Sequence, residues 1–90
     1  MQIFEMFDAI EAEFGKKVAT LCIAVYYIGC ETHESIYNLV DLDILWFDAA
    51  KEHLHGQEDD DILYAIKIVK ACRLYFMHKT AKSIKEFITI

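Results

Sequence analysis

Ninety residues contain no proline, and glycine stands only at positions 15, 29 and 56, so the backbone has few places to turn sharply. Tight turns draw on the fixed φ of proline and on the access of glycine to positive φ, and a β-rich chain needs such a turn about every eight to twelve residues. The expected fold is therefore all-α. A chain this short encloses one modest core, so residues 1–90 are read as a single helical domain.

Apolar periodicity supports the same class. Ile3, Phe4, Phe7, Ile10, Phe14, Val18, Leu21, Cys22, Val25 and Ile28 recur every three or four positions, which is the spacing of one helix face. The stripe keeps phase across Gly15, which favours one continuous helix over two short ones. Gly29 is expected to end it, with Thr32 capping the next helix. A second helix is expected from His33 to His55, apolar at Ile36, Val40, Ile44, Phe47, Ala50 and Leu54, and stopped by Gly56. The run Gln57 to Asp61 places carboxylates at the positive end of a third helix. That helix directs Ile62, Leu63, Ile66, Val69, Cys72, Phe76 and Met77 to the core and Lys67, Lys70 and Arg73 to another side. Ser83 and Glu86 have the spacing of a capping box, so a short last helix begins there. The ending Phe87-Ile88-Thr89-Ile90 is apolar enough to be docked. The architecture read from this pattern is a compact bundle of three long helices plus a short C-terminal helix.

The longest stretch without Asp, Glu, Lys or Arg is Val18 to Cys30, thirteen residues, short of the roughly 18–20 that span a bilayer. No membrane span and no secretory signal are read, and Cys22, Cys30 and Cys72 match neither a disulfide framework nor a zinc pattern. A cytoplasmic chain with reduced thiols serving as small core residues is expected.

Charge is strongly segregated. Residues 1–65 carry a formal charge of −11 and residues 66–90 carry +5, for a net −6. A surface of one sign steers partners of the opposite sign. Direct nucleic-acid binding is disfavoured over the first two-thirds, while Lys67, Lys70, Arg73, Lys79, Lys82 and Lys85 offer a basic patch that could touch phosphates or pack beside acidic helices. At 56 % apolar residues, a domain of this size is expected to keep apolar surface for another molecule.

Chemistry-bearing motifs are sparse. Glu11/Glu13 and Asp41/Asp43 are two apart and point to different helix faces, so neither forms an acid/base couple. His53 and His55 are about 200° apart on a helix, and Cys30 with His33 lacks a second ligand pair, so no metal or cofactor is expected. There is no phosphate loop, nucleophile elbow or H-E-x-x-H.

Arg73-Leu74-Tyr75-Phe76-Met77-His78 reads R-x4-H and resembles the signature of HEPN-domain ribonucleases. The resemblance covers two defining residues and departs at Leu74, where the family is typically polar. It implies a dimer that cleaves RNA, with Arg73 stabilising the phosphate and His78 as acid/base. The plainer account is a surface arginine and a histidine at the negative end of a helix dipole.

The favoured reading is a small acidic protein that binds and inhibits or regulates a basic protein partner, in the manner of immunity proteins, antitoxins or phage inhibitors. A nuclease or nucleic-acid-binding protein is the candidate partner. No catalytic residue is assigned. The binding face is expected at Glu34, Tyr37, Asp41, Asp43, Trp46, Asp48 and Glu52, with the ring as anchor and the acids supplying association rate; the plainer account is a solvated acidic surface with Trp46 in the core. The alternatives are the HEPN-like ribonuclease and a non-catalytic homo-oligomeric helical subunit, and a homodimer is compatible with each.

Overall fold

A computed structural model describes residues 3–32 and 43–88. These form four α-helices, α1 (Ile3–Phe14), α2 (Lys16–Thr32), α3 (Asp43–His53) and α4 (Asp59–Met77), followed by one turn of 3-10 helix, Ile84–Phe87. The all-helical class agrees with the scarcity of turn residues. Glu34, Tyr37 and Asp41, and the first ten residues of the expected second helix, lie outside the described residues, as does the side chain of Asp43.

The first apolar stripe is divided between two helices. Gly15 stands at φ +91°, a conformation that costs an L-residue roughly 1–2 kcal/mol, and its carbonyl accepts from Ala19 while its N–H donates to Glu11. Helical bonding thus continues almost unbroken while the chain changes direction, and α1 packs on α2. Periodicity registers phase along the chain and not direction in space, which is why the stripe looked continuous. Gly29, by contrast, does not end its helix. α2 continues to Thr32; the expected cap by Thr32 lies outside what is described, as do the residues that follow it.

Trp46, near the start of α3, reaches Val25 and Gly29 in the second half of α2. Leu54, just past the end of α3, shares a groove with Lys17, Val18 and Leu21 at the start of α2. The two helices therefore run antiparallel. Gly56, at φ +88°, ends the segment as expected and returns the chain, so the first turns of α4 lie beside the start of α2 at Asp61, Tyr64 and Ala65. No helix among the described residues is long and apolar enough to cross a membrane.

One core joins all four helices, centred on Met6, Ile10, Cys22, Val25, Trp46 and Val69. Several residues expected inside are outside. Phe4 is 77 % exposed and Met77 71 %; in α1 it is Met6 and Ile10 that face the bundle. Leu63 and Phe76 are also exposed.

The C-terminal segment is held by carboxylates. The Ser83 hydroxyl accepts from the Lys85 N–H, and Glu86 reaches back to the N–H groups of Lys82 at 2.7 Å and Ser83 at 2.9 Å. The capping box read from sequence is present, on a 3-10 turn. Glu13 of α1 accepts the Ser83 O–H at 2.5 Å and the Ile84 N–H at 2.6 Å, which fixes Ile84 in the core with no exposed surface. Phe87 and Ile88 pack against that core; Thr89 and Ile90 lie outside the described residues.

Candidate binding surface and its surroundings

The expected binding face separates into parts with different fates. Trp46 is fully buried, and its indole Nε1–H donates to the Val25 carbonyl at 2.9 Å. It cannot anchor a partner at the surface. Its aromatic area goes to the α2–α3 contact, because Gly29 leaves a gap on α2 that the flat ring fills. A buried indole N–H also needs an acceptor, and the Val25 carbonyl supplies one.

Asp48 and Glu52 are exposed on the opposite side of α3. The apolar residue in line with them is Leu45, 50 % exposed, and the spacing of three and four places Leu45, Asp48 and Glu52 on one outward stripe. Sequence reasoning missed Leu45 because an aromatic next to it drew the assignment of anchor. The available signal was the phase: Leu45 shares the face of Asp48 and Glu52, and Trp46 lies about 100° away.

Lys51 joins this helix to the acidic corner that follows. Its Nζ lies 3.6 Å from Asp59 and 5.5 Å from the Phe47 ring centroid. An exposed pair of this kind contributes about 1 kcal/mol or less, and it brings the end of α3 beside Asp59 at the start of α4. Glu58 is the N-cap of α4 without making a side-chain cap bond. The three aspartates after it lie in the first turn of α4, where the helix dipole favours negative charge.

The R-x4-H residues are set apart by the end of α4. Arg73 is half-buried within the helix, whereas His78 has extended backbone at φ −112°, ψ 110° and stacks on Phe87 with 5.1 Å between centroids. A step of five residues turns a helix by about 500°, or 140° net, so the spacing by itself does not bring the two groups to one face. His78 is exposed, with one ring face against an aromatic and not enclosed by the core.

Other polar and thiol groups have local explanations. His53 Nδ1 lies 2.9 Å from the Ala49 carbonyl one helical turn back. Among the described residues no group of three or more His, Cys, Asp or Glu side chains is placed to hold a metal ion; His33 lies outside them. Cys22 and Cys72 are buried and free, with their pKa pushed up to about 12, chiefly by burial, then by the nearby thiol in one case and by Glu13 in the other. They are core residues, as expected, but Cys30 is exposed.

A groove of about 580 Å3 runs between α2 and the α3–α4 corner, with Val18, Leu21, Leu54 and Tyr64 along it and Lys17 and Asp61 as its charged members. It has the volume of a small-molecule site. No protein-family model, curated protein or solved structure matches this chain.

Proposed function

We propose that this chain is a small acidic binding protein that docks on, and thereby inhibits or regulates, a basic protein surface. The observation that carries the reading is the outward stripe of α3, where a half-exposed leucine stands in line with two exposed carboxylates. Leu45 offers the apolar contact, and Asp48 and Glu52, with the adjacent acidic corner at Glu58 to Asp61, offer the field that speeds encounter with a basic partner. A nuclease or another nucleic-acid-binding protein is the class whose own surface is most consistently basic.

The test is capture from host lysate at low and high ionic strength by the wild-type chain and by Asp48→Lys/Glu52→Lys, with circular dichroism as a check on folding. The expected result is a basic protein retained at low salt, released at high salt, lost with the double reversal, and slowed in its own activity by the wild-type chain. Equal retention by both chains overturns the reading. RNA cleavage by the purified chain that disappears in Arg73→Ala/His78→Ala would replace it with the ribonuclease.

A further inference from the structure

The middle of α4, from Ala65 to Cys72, is buried around most of its circumference, with Ala65, Ile66, Ile68, Val69, Ala71 and Cys72 all in the core. On the outer side of that middle stretch stand exposed Lys67 and half-buried Lys70, on a stripe that continues to Asp60 and Leu63 on one side and Leu74 and Met77 on the other, stepping by three and four residues, with Tyr64 and Phe76 also exposed near its ends. That alternation averages 3.5 residues, the spacing of a seam against which another helix packs. Its composition is not that of a solvated face. Leu63 is 39 % exposed, Leu74 42 % and Met77 71 %, with exposed Lys67 and half-buried Lys70 between them. An occupant complementary to this seam brings apolar side chains for its ends and negative charge beside Lys67 and Lys70.

A second copy meeting this seam with its own α4 across a two-fold axis would set Lys67 against Lys70, and like charges in such positions repel. The outward stripe of α3 has the complementary pattern. Leu45, Asp48 and Glu52 are also three and four residues apart and exposed. Laid antiparallel on α4 in one register, Leu45 falls beside Leu74, Asp48 beside Lys70 and Glu52 beside Lys67. That orientation also opposes the two helix dipoles.

We propose that the α4 seam of one copy receives the α3 stripe of a second copy, so that the chain associates with itself through complementary acidic and basic helices. The contact is heterologous, since each copy presents two different surfaces. This goes beyond the binding function proposed above and is tested with the purified chain alone, so either idea can fail without the other.

The experiment is sedimentation velocity over a range of concentrations, at low ionic strength and again with the charges screened. Wild-type chain should exceed its single-chain mass of 10.5 kDa as concentration rises, and fall back at high salt. Asp48→Lys/Glu52→Lys and Lys67→Glu/Lys70→Glu should each weaken association by about tenfold or more, because each leaves like charges facing one another. An equimolar mixture of the two variants should associate again, since every contact between them joins opposite charges. Should the second variant fail to fold by circular dichroism, Lys67→Glu alone, at an exposed position, serves in its place. A wild-type chain that stays monomeric at every concentration, association unaffected by either reversal, or a mixture that remains monomeric overturns the proposal.

Discussion

Gly29 and Trp46 occupy one space: a Cβ built on Gly29 would lie 2.9 Å from the indole Cε2 and Nε1 of Trp46. The contact explains two departures from a reading of local sequence. A helix-interior glycine, which costs about 1 kcal/mol relative to alanine, is kept where a side chain would collide. A tryptophan two residues before Asp48 and three after Asp43 is buried because that glycine makes room for it.

Gly29→Ala is accordingly expected to destabilise the fold, although alanine is the better helix former. The collision is with a buried ring, so overpacking of about 1–3 kcal/mol should outweigh the roughly 1 kcal/mol gained in propensity. Urea unfolding followed by the emission of Trp46, the only tryptophan, reads the difference. A variant more stable than wild type would show that the ring moves aside without cost.

Removing the Glu13 carboxylate should release the C-terminal turn. Its two acceptor oxygens serve the Ser83 hydroxyl and the Ile84 N–H, and an amide left without a partner near the core costs about 1–3 kcal/mol. Glu13→Ala is expected to lose about that much stability and to speed hydrogen exchange at the Ile84 amide. Glu13→Gln, which keeps one carbonyl acceptor, should lose less. Equal exchange in all three chains would mean the turn is held by packing alone.

Acid should weaken the same segment through Glu86. Its carboxylate accepts from the Ser83 and Lys82 N–H groups, and these bonds hold its pKa below the ordinary 4.5. A carboxyl whose pKa is lower folded than unfolded stabilises above the unfolded value, and that contribution disappears as pH falls through the folded value. Glu86→Gln should therefore be less stable than wild type at neutral pH, and the gap should narrow in acid below 4.5. A gap independent of pH would remove the charged hydrogen bonds from the account.

Thiol chemistry should separate the three cysteines. Cys30 is exposed, whereas Cys22 and Cys72 are buried with pKa near 12, so both remain protonated and covered at neutral pH. A disulfide reagent is expected to modify one thiol of the native chain quickly and the other two only on unfolding. Fast modification of Cys22 or Cys72 in the native chain would contradict their burial.

Features that depend on neighbours along the chain were legible beforehand: the helical class from the shortage of turn residues, the stop at Gly56, the acidic first turn of α4 and the capping box at Ser83 and Glu86. Each of these is a bond or a backbone angle made within a few residues. The candidate face was legible in Asp48 and Glu52 but not in its apolar member, because a stretch that is apolar on several sides, as from Leu45 to Phe47, does not announce which side faces inward.

The sequence by itself determined that this protein is helical and where its charges fall along the chain. Only the tertiary structure decided that Gly15 turns the chain while Gly29 stays within a helix, that Trp46 is core and Leu45 surface, and that Leu63, Leu74 and Met77 of α4 are exposed. The physical reason is the same in each case. The role of a glycine, an indole or an apolar stripe depends on what lies across from it, and the residue across from it comes from a distant part of the chain.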